Sequence, residues 1–175
     1  MTQQGVKGRV TRDPEYRALR HLARTTAPGI PDRPLDALQQ VADLARELTA
    51  ARYAALVVTG QNDYVEGFVV SGLTPEEERK LKAAPQGHGP LGTMRQDGVA
   101  VRIDDLERYA RSFGFPPKHP EMKSLLGVPI WTGGQLRGAL YVTDRERAEA
   151  FRDDDEVALA VLARHAGSII ADRWY

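Results

Sequence analysis

At 175 residues, with 42% hydrophobic and 27% charged side chains, the chain has the size and balance of one ordinary globular domain. Its 24 Lys and Arg are offset by 24 Asp and Glu, so no global positive field draws nucleic acid. With no cysteine there are no disulfides, thiolate zinc sites, cysteine-ligated clusters or thiol nucleophiles. No run of 18 apolar residues occurs and none follows the charged start MTQQGVKGRVTRD, which predicts a cytoplasmic protein with no membrane partner.

Residues 1–34 hold seven Lys/Arg against three Asp/Glu, with glycine and proline punctuation, and read as a lead-in segment. Within it, Pro14–Arg24 reads as a solvated arm; the alternative is one short helix with Tyr16, Leu19, Leu22 and Ala23 on one side. From Leu35 the pattern sharpens. Leu35, Leu38, Val41, Ala42, Leu44, Ala45 and Leu48 recur at three- and four-residue steps and predict an amphipathic helix ending near Ala50. Tyr53–Thr59 and Val65–Val70, separated by Gly60-Gln-Asn-Asp63, predict a hairpin.

Thr74-Pro75-Glu76-Glu77 supplies a cap, a proline at the first helical position and a glutamate at the third, so a helix starts there and stops by Pro85. Strands follow at Val99–Ile103, Leu125–Trp131 and Gln135–Thr143, the last two joined through Thr132-Gly133-Gly134. Asp153-Asp-Asp-Glu156 opens a long helix to about Arg173, with Leu159, Leu162, Ala163, Ala166, Ile169 and Ile170 on one face. This order predicts an α+β fold: a mainly antiparallel sheet with the terminal helices packed on one side.

Gly87-His88-Gly89-Pro90-Leu91-Gly92 matches G-x-G-x-x-G, but a helix and Pro85 precede it where a dinucleotide site needs a strand. The four acidic residues 153–156 fall at a helix start, where carboxylates satisfy free amides and the macrodipole. Of the four histidines, His21 and His165 sit on helices as surface or boundary residues, and His88 lies in the glycine turn. His119 stands in Phe113-Gly-Phe-Pro-Pro-Lys-His-Pro-Glu-Met122, where prolines restrict the backbone on both sides and present the imidazole with little freedom. It reads as a ligand or as an exposed loop histidine.

On Gln135–Thr143, Leu136, Gly138, Leu140 and Val142 share one face and Arg137, Ala139, Tyr141 and Thr143 the other. The first set suits packing under the helices. The second places the Tyr141 phenol beside small Ala139, where a ligand fits; the alternative is a tyrosine that packs and hydrogen-bonds at its tip.

The run Asp104-Asp105, then Gly114-Phe-Pro-Pro-Lys-His-Pro-Glu-Met-Lys-Ser-Leu-Leu-Gly-Val-Pro-Ile130, Gly138-Ala-Leu-Tyr-Val-Thr143 and Phe151-Arg-Asp-Asp-Asp-Glu156 resembles a GAF domain over residues 35–175. More narrowly it is similar to the haem-binding GAF domains of mycobacterial dormancy sensor kinases, with Tyr109 standing where those kinases carry a second histidine. The resemblance implies a sheet with the N- and C-terminal helices on one face and a ligand pocket on the other. It implies haem b held through its iron by His119, with Tyr141 as the distal residue and Phe115 and Met122 beside the cofactor.

The function so implied is a stand-alone haem-based sensor of a diatomic gas or small ligand, passing its signal to a separate partner. Two alternatives stand beside it. One is a haem-dependent enzyme activating a small nitrogen or oxygen substrate, with Tyr141 catalytic. The other is a haem-free GAF receptor for a small organic molecule or anion, with Arg137 and His88 as contacts. Apolar Val157, Val161 and Trp174 off the main helical stripe predict a homodimer.

Overall fold

Every strand predicted from the sequence joins one sheet in the computed structural model, which describes residues 13–26, 33–60, 64–80, 94, 97–106, 122–148 and 150–174. Among these residues the chain runs through α1 (Pro14–Thr26), α2 (Pro34–Thr49), β1 (Ala51–Thr59), β2 (Val65–Ser71) and α3 (Pro75–Lys80). It continues through β3 (Val101–Ile103), β4 (Leu125–Thr132), β5 (Gln135–Arg145), a 3-10 turn (Glu146–Ala148) and α4 (Asp153–Arg173). The strand order is β2-β1-β5-β4-β3 and every neighbouring pair is antiparallel. The architecture is the α+β arrangement expected from the sequence.

Local chemistry sets the boundaries. Pro34 occupies the first turn of α2, and Ala50 ends that helix in the left-handed region at φ 52°, its N–H bonding back to the Arg46 and Glu47 carbonyls. At α3, Thr74 Oγ1 accepts from the Glu77 N–H at 3.2 Å while Glu77 Oε2 accepts from the Thr74 N–H at 2.8 Å, the reciprocal pair that the sequence predicts. Gly133 and Gly134 both take positive φ, 53° and 79°, which a two-residue turn between twisted antiparallel strands requires.

The acidic start of α4 is structural. Asp155 is 7% exposed and its Oδ2 accepts from the Arg152 N–H at 2.8 Å, while Arg102 reaches Asp153 at 2.9 Å and Glu156 at 2.6 Å.

The two faces of the sheet carry different clusters. Ala54, Leu56, Val58, Leu126, Val128, Ile130, Leu140 and Val142 pack under α2 and α4 in the main core. Val57, Ile103, Leu125, Ala139 and Tyr141 form a second cluster with Met94 and Leu106. This partition follows the period-two alternation of the strands.

Two expectations are corrected. Residues read as a solvated arm form α1, whose Ala18 (0% exposed) and Leu22 (8%) enter the main core while α1 packs on α4. Its buried side differs from the one periodicity suggested: Tyr16 and Leu19 are 41% and 50% exposed, while Ala18 and Leu22 face the core. Val161 and Trp174 are not residual surface either. Val161 is 3% exposed in the core, and Trp174 packs over Gly67, where a Cβ would meet its ring at 2.5 Å. Among the described residues, no helix is long and apolar enough to cross a membrane.

Candidate functional site

Tyr141 is 8% exposed on the sheet face turned away from α2 and α4. Its register partners are Ala55 on β1 and Gly127 on β4. A Cβ placed on Gly127 would lie 2.9 Å from Tyr141 Cδ1 and 3.1 Å from Met94 Sδ, so the phenol ring lies across the glycine and the thioether closes over both. Ala139, one step along the same face, is 2% exposed. The floor is therefore built of small residues, with Phe68, Met94, Leu106 and Met122 around it. Met122, predicted to stand beside the ligand, is half-buried against this cluster.

The same face carries two further hydroxyls. Tyr53 pairs in register with Thr143, and both are buried, at 4% and 5% exposure. The Tyr53 hydroxyl lies 3.5 Å from Glu77 Oε1. Burial raises the Tyr53 phenol above its usual range; Arg52, whose guanidinium sits 5.0 Å over the ring, opposes this, and Glu77 and Asp144 reinforce it. Among the described residues Thr143 Oγ1 has no hydrogen-bond partner.

Arg137 is not a spare cation for an anionic ligand. Its Nε donates to the Thr59 carbonyl at 3.0 Å and its Nη2 to Glu66 Oε2 at 3.4 Å, tying the ends of β1, β2 and β5 together. His21 and His165 are half-buried on α1 and α4, and burial lowers the His165 pKa. Among the described residues no group of three or more His, Cys, Asp or Glu is placed to hold a metal ion.

His119, Phe115, His88 and Tyr109 lie outside the described residues. Tyr141, Ala139 and Met122 pack in one cluster with Met94, and neither Met94 nor the position of Gly127 under Tyr141 was read from the sequence. The register that sets Gly127 opposite Tyr141 joins residues fourteen positions apart across the Gly133-Gly134 hairpin, and a bulge between Ile130 and Trp131 shifts it by one residue from the count the turn alone would give.

The architecture has counterparts among solved structures. The GAF domain of a phosphoenolpyruvate-protein phosphotransferase from Coxiella burnetii matches with a TM-score of 0.70 at 21% identity, over 90% of this chain and 93% of that one. The corresponding domain from Acinetobacter gives 0.67 at 17%, over 98% and 95%. A free methionine-R-sulfoxide reductase from Neisseria meningitidis, solved in complex with its substrate, gives 0.64 at 18%, over 90% and 88%. At these identities the likeness is one of fold. The family model described as GAF domain matches residues 33–171, which spans α2 to α4 and both faces of the sheet, and the chain belongs to the GAF domain family.

Proposed function

We propose that this GAF domain binds a small-molecule ligand on the Tyr141 face of its sheet, that haem b is the group held there, and that His119 would ligate its iron. The observation that carries the reading is the cluster itself: Tyr141, Ala139 and Met122 meet on the face away from the helices, over a floor that Gly127 keeps low. Met122 is three residues from His119, and three peptide units span at most about 11 Å. The Phe115-Pro-Pro-Lys-His119-Pro-Glu-Met122 resemblance supplies the choice of haem.

The residues present fit such a group in kind. Ala55, Ala139 and Gly127 are small, and Phe68, Met94 and Met122 are soft apolar side chains of the kind that line such a group. When bound, haem supplies an iron with a position open to a small ligand. The protein contributes the rest. His119 as neutral imidazole offers a nitrogen lone pair, the apolar walls exclude water, and the Tyr141 hydroxyl hydrogen-bonds a polar ligand. Sensing of a diatomic or other small ligand is the function proposed, with two copies paired along the outer side of α4, where Val157 stays 40% exposed.

A second reading, a haem-free receptor for a smaller organic molecule, is favoured by one observation. Met94 and Leu106 are 0% and 1% exposed and already pack on the Tyr141 cluster. Absorption of the protein purified after expression with haem supplied separates the two. A Soret band at near-stoichiometric intensity, lost in His119→Ala and partly restored by added imidazole, is expected. Colourless wild-type protein overturns the haem assignment and leaves the haem-free receptor.

A further inference from the structure

A hollow of about 690 Å³ lies at the end of the sheet where β1 begins, β2 and β5 finish and β4 starts. None of its lining residues belongs to the Tyr141 cluster. We infer that this hollow is a binding site for a phosphorylated, hydroxyl-bearing small molecule such as a sugar phosphate. Its volume falls within the usual range of small-molecule sites, about 300–1,000 Å³.

Charge and the accounting of partners carry the inference. Five cationic side chains line the hollow, Arg46, Arg52, Lys123, Arg145 and Arg147, against the three carboxylates of Asp104, Asp144 and Glu146. Arg145 is committed to α4, with its Nε 3.6 Å from the buried Asp155 carboxylate. Asp144 is committed too, since its Oδ1 accepts from the Lys123 and Ser124 backbone amides. That leaves four cations facing two carboxylates, and among the described residues none of the four is hydrogen-bonded or ion-paired to a carboxylate. Guanidinium forks match phosphate oxygens bidentately, and several around one hollow hold a dianion better than a lone lysine does. Asp104 and Glu146 repel a bare polyanion and accept hydrogen bonds from hydroxyls, which selects a sugar phosphate over inorganic phosphate.

The backbone around the hollow is also unusual. Among the described residues, the non-glycine positions with positive φ are Ala50 (52°), Asp144 (56°) and Arg147 (64°). Asp144 and Arg147 line the hollow and Ala50 adjoins the lining residue Ala51. Non-glycine residues in this region are sparse, and strain of this kind gathers where a fold fixes the direction of functional side chains.

Calorimetric titration of the purified full chain at low ionic strength, with ribose 5-phosphate and glucose 6-phosphate as probes and ribose and sodium sulfate as controls, tests the site. Saturable binding of at least one sugar phosphate, weakening as salt rises, is expected, with ribose silent and sulfate at least tenfold weaker. Arg52→Gln/Arg147→Gln should weaken binding tenfold or more, and Arg164→Gln, exposed on α4, should leave it unchanged. If the double variant does not fold, Arg147→Gln alone, at an exposed position, carries the same comparison. Absence of saturable binding by either probe, sulfate binding as tight as the sugar phosphates, or equal affinity in the folded arginine variants overturns the assignment.

Discussion

Tyr141 lies across its register partner Gly127, close enough that a methyl group on the glycine would sit 2.9 Å from the ring and 3.1 Å from the Met94 sulfur. The contact couples two adjacent strands to the segment carrying Met94, so the floor of the candidate site and its cover are packed as one unit. Gly127→Ala must displace either the ring or the thioether. Overpacking of this kind costs roughly 1–3 kcal/mol, and a lower thermal midpoint is the expected result. A midpoint equal to the wild type would show that the ring does not rest on Gly127.

Tyr141→Phe removes one hydroxyl and leaves the ring over Gly127, so the fold should persist and, under the proposed haem function, so should haem uptake. A hydrogen bond from the phenol to a polar ligand is worth about 1–1.5 kcal/mol, close to a tenfold change in dissociation constant. The dioxygen affinity of the haem-loaded protein should shift by about that factor, while carbon monoxide, a poorer acceptor, responds little. Loss of haem itself in Tyr141→Phe would instead make the residue part of the cofactor's support.

Much of this architecture was legible because its signals are local or periodic. The stripe Leu159, Leu162, Ala163, Ala166, Ile169 and Ile170 is buried throughout, and the reciprocal Thr74–Glu77 bonds and the Gly133-Gly134 turn need nothing beyond a few neighbouring residues. What failed depended on contacts between elements. Val161 is buried because α4 touches α1, α2 and β4 together, which covers more of its circumference than a single stripe. The site divides in the same way. The face of Tyr141 and Thr143 follows from strand alternation, whereas the glycine beneath Tyr141 and the charged hollow are assembled across strands and loops distant in sequence.

Docking of α1 rests on a small contact, with Ala18 and Leu22 buried and the Arg164–Glu15 pair at 3.5 Å adding little at the exposed rim. Ala18→Arg places a long charged side chain where no space exists and should detach α1 while leaving the sheet, α2 and α4 folded. Hydrogen exchange is expected to accelerate across residues 14–26 and to stay slow in β1, β4 and β5. Uniform loss of protection would show instead that α1 belongs to the same cooperative unit as the core.

His165 gives the fold a pH dependence whose sign is fixed by burial. The half-buried imidazole on α4 has its pKa lowered from the usual 6.5, because the low-dielectric surroundings disfavour the charged form. Below about pH 6.5 the unfolded chain takes up a proton at this position more readily than the folded one. Stability linked to this group is therefore complete above that pH and declines as pH falls towards the depressed folded-state value, below which the loss levels off. His165→Gln keeps a neutral polar side chain of similar reach and removes the titration. Urea unfolding at pH 7.5 and pH 5.5 should show a larger drop in midpoint for the wild type than for His165→Gln. An equal drop in both would assign the acid sensitivity of the fold to its carboxylates alone.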